Sequence, residues 1–220
     1  MDLFDIVGPI MVGPSSSHTA GAARIGYVAR CLLNEEPIAA RILLHGSFAH
    51  TGLGHGTHLA LVAGILGMKP DDERLKDSFK IAEERGIAVT IETVDLDNAH
   101  PNTAVIYLRG ASGRSNMLEA ASIGGGNIQI NKIDEQAISI SGRYPTVVVR
   151  YQDLPGAISR ITRTIGQLGY NIFQIHIGRD KRGGTAIMSL ELDGNYVMPG
   201  IKDILAQLET VFDVVIMQPY

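Results

Sequence analysis

The sequence predicts an α+β protein with two domains, an N-terminal mixed α/β domain over residues 1–140 and a C-terminal βαββαβ domain over 146–220. At 220 residues the chain is long for one domain, and its hydrophobic content of 45% suffices for two cores. Helical periodicity dominates before residue 86, whereas short strand-like runs dominate after it.

The helices of the first domain are predicted from apolar spacing. Ile25, Val28, Ala29 and Leu32 predict a helix over 22–33. A short strand over 41–44 and a loop of small and polar residues over 46–56 follow. A buried helix over 57–66 and a helix from Pro70 to about Gly86, with an acidic first turn, complete this part.

From residue 87 onward the pattern favours strands. Apolar and β-branched runs predict strands over 87–94, 103–108, 115–121 and 127–133. The three glycines at 124–126 predict a tight turn between the last two strands, and the polar stretch 134–144 predicts a linker.

The last 75 residues have a rhythm of their own. The pattern predicts four strands, over 146–151, 171–178, 185–192 and 211–217. Predicted helices over 157–168 and 200–208 follow the first and the third of these strands. The first of these helices has Ile158, Ile161, Ile165 and Leu168 on its expected buried face. This order is the βαββαβ motif of ferredoxin-like domains.

Composition excludes several function classes. The net charge is −4 without a basic block, and aromatic residues make up 5% of the chain, so nucleic acid is not an expected partner. No apolar run reaches the length of a membrane span, and no signal peptide is expected. The single cysteine, Cys31, fits a reducing, cytoplasmic setting and excludes both intrachain disulfides and a cluster held by this chain alone.

A serine run with a histidine is the most informative stretch of the chain. Ser15, Ser16, Ser17, His18 and Thr19 precede the first predicted helix. Helix starts offer free amides and positive dipole ends to a carboxylate or phosphate, and His18 adds a group that titrates near neutral pH. The same residues are also typical of a plain helix N-cap with a solvent-facing histidine.

Four further histidines lie within fourteen residues, at His45, His50, His55 and His58. Imidazole clusters bind zinc, which makes a metal site one hypothesis. The glycines between these histidines favour instead a close approach of backbone to a substrate. We therefore expect no metal on this chain.

The C-terminal domain resembles ACT domains, the amino-acid-sensing modules of metabolic enzymes. The resemblance rests on Asp153-Leu154-Pro155-Gly156 and on Gly169-Tyr170-Asn171-Ile172. It implies self-pairing of the domain and an amino-acid ligand held near Asp153, Gly156 and Asn171. Ordinary turn and capping chemistry also explains Asp-x-Pro-Gly.

The N-terminal domain resembles the β chain of the two-chain iron–sulfur L-serine dehydratases of bacteria. Three segments carry the resemblance: Phe4 to Ile10, Gly13 to Thr19, and Gly46 to Thr57. The family's domain is similar to the allosteric substrate-binding domain of some D-3-phosphoglycerate dehydrogenases. The resemblance implies an α-chain partner that carries a [4Fe–4S] cluster, L-serine as substrate, and no pyridoxal phosphate.

The same resemblance implies roles for individual residues. His55 is the first candidate for the base that removes the α-proton of L-serine, with His18 as its partner or substitute. The candidate substrate-binding residues are Ser15, Ser16, Ser17, Thr19, Ser47, Thr51, His100 and Asn102. The chain departs from the family pattern at Leu53 and His58, where lysine and aspartate are common.

Two hypotheses from different classes follow. The chain is either an enzyme subunit whose active site is shared with the cluster-bearing chain, or a purely regulatory subunit that binds serine and dimerises. Loss of catalysis on substitution of the histidines, without loss of assembly, would favour the first.

Overall fold

A computed structural model describes residues 10–13 and 15–219, with the side chain of Leu53 excepted. Residues 4–9 and Pro14, which carry part of the resemblance, lie outside the described residues. The chain divides into two compact units between Asp134 and Glu135. None of the helices in the described part of the chain has the length and apolar character needed to span a membrane.

The first unit begins with helices that pack on a sheet. A π-helical turn, Ser16–Gly21, leads directly into α1, Ala22–Leu33. Helix α2, Gly46–His55, is followed after one residue by α3, Thr57–Ile65. A 3₁₀ turn, Glu73–Asp77, precedes the short helix α4, Ser78–Glu84.

Five strands form the sheet of this unit, in the order β2-β1-β3-β4-β5. They span Pro37–Leu44 (β1), Ala88–Thr93 (β2), Thr103–Gly110 (β3), Ser115–Gly124 (β4) and Asn127–Ile133 (β5). Strands β1 and β2 run parallel, and the other neighbours are antiparallel. Strand β2 is therefore an edge strand.

Helices α1 and α3 cross with their backbones in contact. A Cβ atom placed on Gly26 would lie 2.1 Å from the carbonyl oxygen of Leu61, and one on Gly64 would lie 2.0 Å from that of Ala23. Because neither glycine has a side chain, the two helices approach more closely than larger residues allow. The fully buried Ile25 and Leu61 complete this part of the core.

Several predicted elements of the first unit need correction. Residues 46–56, predicted as a loop, form α2, because tertiary contacts override the low helix propensity of its glycines. The helix predicted from Pro70 is divided into a 3₁₀ turn and α4. The predicted tight turn at 124–126 is confirmed, since Gly125 and Gly126 both have positive φ, as a two-residue hairpin requires.

The second unit is a four-stranded antiparallel sheet covered by two helices. Its strands β7 (Thr146–Gln152), β8 (Ile172–Arg179), β9 (Thr185–Leu192) and β10 (Val211–Met217) lie in the order β10-β7-β9-β8. Helices α5 (Ala157–Gln167) and α6 (Ile201–Ala206) connect them. The predicted βαββαβ order is thereby confirmed.

Two details of the second unit differ from expectation. A further strand, β6, Gln136–Ile140, forms within the stretch 134–144 that is predicted as a linker. On α5 the buried positions are Ala157, Ile161 and Ile165, whereas Ile158 is exposed. The buried face follows the four-residue spacing from Ala157, and Ile158 lies one residue outside it.

We expect Gly26→Ala or Gly64→Ala to lower the free energy of unfolding by about 1–3 kcal/mol, because the added methyl group collides with a backbone carbonyl. Gly166→Ala in α5 is the matched control, since a Cβ there meets no atom within 4 Å. It should raise stability by up to about 1 kcal/mol. Calorimetric melting of the three variants tests this expectation. Equal changes in melting temperature for all three would contradict the backbone contact.

Candidate functional site

The serine run forms the π-helical turn rather than a simple cap. Ser15 is its N-cap, and the Ser15 hydroxyl accepts a hydrogen bond of 3.2 Å from the backbone amide of His18. Single π-helical turns are rare and occur often at functional sites. Gly21 lies so close to β4 that a Cβ on it would be 2.0 Å from the Ser122 hydroxyl, which fixes the turn against the sheet.

Helix α2 brings the second motif to the same place. It begins at Gly46, whose φ of +55° and whose close approach to Pro101 both require glycine. It ends at Gly56, where a φ of +72° allows α3 to begin at once. Side chains one turn apart on this helix, Ser47, Thr51 and His55, therefore share one face.

The imidazole of His18 joins the two motifs. Its Nε2 atom lies 3.1 Å from the Thr51 hydroxyl and 3.3 Å from the Ser47 hydroxyl. Its Nδ1 atom lies 3.3 Å from the Ser17 hydroxyl and 3.4 Å from that of Ser15. We call these five residues the His18 cluster.

Hydrogen bonding within the cluster selects a tautomer for His18. The Thr51 hydroxyl donates to the carbonyl oxygen of Ser47 at 2.9 Å, because a carbonyl can only accept. The same hydroxyl must then accept from Nε2–H of His18. The Nδ1 lone pair of His18 is consequently left to accept from Ser15 or Ser17.

His55 lies beside the cluster. Its ring centroid is 5.1 Å from that of His18, and the Phe48 ring meets His18 edge to face at 5.3 Å. Burial lowers the pKa of His18, and the neighbouring His55 lowers it further, while a hydrogen bond to the backbone of Ser47 partly opposes both. His18 is therefore neutral at physiological pH.

The tautomer of His55 follows from one contact. Its Nδ1 lies 3.1 Å from the carbonyl oxygen of Thr51 and so carries the proton. This leaves the Nε2 lone pair available on an exposed ring. His50 has the same arrangement, with its Nδ1 2.7 Å from the carbonyl of Gly46.

Other predicted binding residues are placed differently. In the part of the chain that the structure describes, Ser16 and Thr19 do not join the His18 cluster, and the Thr19 hydroxyl is buried without a partner. His100 accepts a bond from the Asn102 amide at 3.1 Å. The loop that holds His100 and Asn102 lies against the first turn of α2, where Pro101 accepts from the Phe48 amide.

The zinc hypothesis gains no support from the geometry. Among the described residues, no three histidine, cysteine, aspartate or glutamate side chains are grouped as metal ligands. His45 instead accepts a bond from the Leu96 amide. His58 packs its ring 5.8 Å from that of Phe79.

A [4Fe–4S] cluster does not fit the residues of this chain. Such a cluster takes four cysteine ligands, whereas Cys31 is the only cysteine. Burial in α1 raises the pKa of the Cys31 thiol, which disfavours the thiolate that a metal requires.

The predicted ligand residues of the second unit have protein partners. The Asp153 carboxylate accepts from Arg179 at 2.8 Å, and Asn171 donates to Asp193 at 2.5 Å. Gly156 is the N-cap of α5 with a φ of +83°. His176 lies half-buried on the edge strand β8.

The sequence of the chain matches two known protein families. The profile of the family described as serine dehydratase beta chain matches residues 1–133, and that of the ACT domain matches 146–210. The chain belongs to the serine dehydratase beta chain family.

Individual members of the serine dehydratase beta chain family match over most of their length. The probable L-serine dehydratase beta chain of Bacillus subtilis is 39% identical over 96% of both chains. The L-serine dehydratase beta chain of Peptoniphilus asaccharolyticus is 41% identical over 86% of both.

The D-3-phosphoglycerate dehydrogenase of Bacillus subtilis is 29% identical over 78% of this chain and 33% of that protein.

Sequence reasoning missed Phe48 as part of the site. Its side chain is fully buried and contacts the His18 ring, yet a lone phenylalanine in an expected loop gave no such signal. Recognition of α2 as a helix would have found it, because Phe48 lies one residue from Ser47 and one turn from Thr51.

We expect the pKa of His18 to lie below its ordinary value of 6.5 and to rise in His55→Gln, since that change removes the electrostatic effect of the His55 ring but not the burial. In the window between the folded and unfolded pKa values the unfolded chain binds more protons, so stability should rise with pH there. An NMR titration of the histidine Hε1 signals measures the shift. His50→Gln is the control and should leave His18 unchanged; an unmoved His18 in both variants would contradict the coupling.

Proposed function

We propose that this chain is the β subunit of an L-serine dehydratase and converts L-serine to pyruvate and ammonia together with an α chain. The observation that carries the proposal is the His18 cluster with His55 at its side. Four hydroxyls and two imidazoles converge from two motifs whose members in this group lie 29 or more residues apart in the sequence. Such a group combines anion-binding donors with a proton acceptor.

His55 is assigned the role of base. Its Nδ1–H bond to Thr51 holds the ring and leaves Nε2 free to take the α-proton of L-serine. Loss of that proton and of the β-hydroxyl, as water, gives 2-aminoacrylate. Its imine tautomer then adds water and releases ammonia, which leaves pyruvate.

The hydroxyl groups of the His18 cluster are assigned the role of binding the carboxylate of the substrate. The contact between His18 and Ser47 places Ser47 next to the π-helical turn. The Ser47 hydroxyl lies 3.2 Å from the Thr51 hydroxyl and can donate to a bound anion. Ser15 and Ser17 lie on the other side of the His18 ring. Ser16, Thr19, His100 and Asn102 remain proposed members of the binding site, as the resemblance implies.

His18 is assigned a positioning role. Its two nitrogens hold hydroxyls from both motifs, and its lowered pKa favours the neutral form of its ring. His18 also remains the substitute base if His55 does not act.

The partner chain is assigned the iron–sulfur cluster. Because one cysteine cannot hold it, a [4Fe–4S] group used by the assembled enzyme would be bound by the α chain. The exposed face of α2, with Thr51 and His55, is the part of the site on which an α chain would close. The regulatory alternative, a subunit without catalytic residues, leaves the free Nε2 of His55 unexplained.

We expect His55→Ala in the assembled two-chain enzyme to lower kcat at least 100-fold, because general-base catalysis contributes about that much or more. The matched control is His50→Ala, which removes an exposed histidine of the same helix with the same backbone bond. It should change kcat less than about threefold. Anaerobic pyruvate production from L-serine is the measurement.

Two outcomes would contradict the assignment. Near wild-type turnover of His55→Ala would exclude His55 as the base. Full activity of the α chain alone would make this chain a regulator.

Self-pairing is proposed for the second unit. Strand β8 is an edge strand, and it carries exposed Phe173, Ile175 and Ile177. Edge strands present unpaired backbone groups to a neighbour, and three exposed apolar side chains add a hydrophobic contact. An amino-acid ligand near Asp153, Gly156 and Asn171 would first have to displace the bonds of Arg179 and Asp193.

We expect Ile175→Glu to convert the dimer of the isolated full-length chain to a monomer, since it places a charge at the pairing edge. Phe212→Glu on the opposite edge strand β10 is the control, because Phe212 is also exposed, and it should remain dimeric. Sedimentation velocity measures the masses. A monomeric wild-type chain, or dissociation of the Phe212 variant alone, would contradict pairing through β8.

A further inference from the structure

Long hydrogen bonds surround the imidazole of His18. Its Nε2 atom lies 3.1 and 3.3 Å from the Thr51 and Ser47 hydroxyls, and its Nδ1 atom lies 3.3 and 3.4 Å from those of Ser17 and Ser15. All four distances exceed about 3.0 Å, the usual length of a bond between nitrogen and oxygen. Because each hydroxyl hydrogen also rotates to suit its partner, these bonds alone define the plane of the His18 ring loosely.

A buried aromatic ring meets the same imidazole from the core. The Phe48 side chain is fully buried, and its ring contacts that of His18 edge to face, with 5.3 Å between the centroids and 66° between the planes. This is one of the favourable arrangements of two aromatic rings. His55 also contacts His18, but its side chain is exposed. A ring packed in the core has less room to move, so Phe48 restrains His18 more firmly.

The backbones on the two sides of this ring contact are anchored separately. A Cβ on Gly21 would lie 2.0 Å from the Ser122 hydroxyl, which fixes the π-helical turn on β4. A Cβ on Gly46 would lie 2.7 Å from the carbonyl oxygen of Pro101, and the Phe48 amide donates to that oxygen at 3.3 Å. The fold therefore sets the distance at which the two rings meet.

The first turn of α2 supplies both the ring and the hydroxyls that face Nε2 of His18. Phe48 follows Ser47 directly and precedes Thr51 by three residues, so the three side chains occupy adjoining positions on the helix. A rotation of the imidazole about its bond to Cβ would break the edge-to-face contact and move Nε2 relative to both hydroxyls. The contact with Phe48 and the direction of Nε2 therefore depend on each other.

We propose that Phe48 is the positioning residue of the His18 cluster, whose ring holds the imidazole of His18 with Nε2 towards the hydroxyls of Ser47 and Thr51. Phe48 is buried and acts through His18. Its effect on turnover rests on the proposed dehydratase function, whereas its effect on the His18 ring does not.

The ring contact is tested first in the full-length wild-type chain, with histidine and phenylalanine isotopically labelled. A nuclear Overhauser effect is expected between ring protons of Phe48 and His18, since their centroids lie 5.3 Å apart. His18→Gln and Phe48→Leu identify the signals. Absence of the effect would overturn the contact, and this measurement needs no variant to be active.

Phe48→Leu keeps an apolar side chain in the core and removes the ring. The ¹⁵N shifts of the His18 imidazole should change from those of the Nε2–H tautomer to those of a mixture of both tautomers. Phe79→Leu is the matched control, because the Phe79 ring contacts a different histidine, His58, at 5.8 Å, and it should leave His18 unchanged. With the fold retained by circular dichroism, an unchanged His18 tautomer in Phe48→Leu would overturn the positioning role.

Kinetics of the assembled two-chain enzyme separate positioning from a loosened helix. Phe48→Leu should raise KM for L-serine about tenfold and change kcat less than about threefold, because His18 positions the hydroxyls that bind the carboxylate rather than the base. His18→Gln should have the same effect, and the double variant should be no worse than His18→Gln alone.

Other kinetic results would contradict this role. Additive losses in the double variant, or a loss confined to kcat, would show that Phe48 does not act through His18. Absence of activity in the wild-type assembly would instead contradict the proposed function, since the tautomer measurement decides the positioning role without turnover.

Discussion

The crossing of α1 and α3 at Gly26 and Gly64 is the constraint on which the first unit depends. Backbone contact at these two positions sets the distance between the two helices, which is too short for a methyl group on either glycine. Helix α1 continues from the π-helical turn, and α3 follows α2 after a single residue. The crossing thereby determines how far the serine run lies from Thr51 and His55.

Local sequence patterns predicted most of the helices and strands but not which of them contact one another in the fold. The β-branched strands, the βαββαβ order and the glycine turn at 124–126 are encoded in short windows, and these predictions agree with the structure. Helix α2 was missed because its glycines and polar residues are typical of a loop. Its helical state comes from packing of Phe48 in the core, which no local window contains.

Only part of the candidate site was predicted, because the rest depends on contacts between segments that are distant in the sequence. Motif resemblance selected His18, Ser47, Thr51 and His55, and the structure brings these four together. The resemblance does not distinguish Ser16 and Thr19, which join no bond of the His18 cluster in the described part of the chain, because a π-helical turn spaces successive side chains differently from an α-helix. The contact of Phe48 with the His18 ring depends on burial, which is a property of the folded chain.

Helix α2 has weak intrinsic stability and two occupied faces. Gly52 and Gly54 in its interior each cost about 1 kcal/mol relative to alanine, so the segment is helical only through its neighbours. One face carries Ser47, Thr51 and His55, and the other packs into the core through Phe48. Any molecule that fastens to either face contributes to holding the helix in order. A substrate on the face of Thr51 and His55 therefore gains affinity from every contact that already orders the helix, since less entropy of ordering is left to lose.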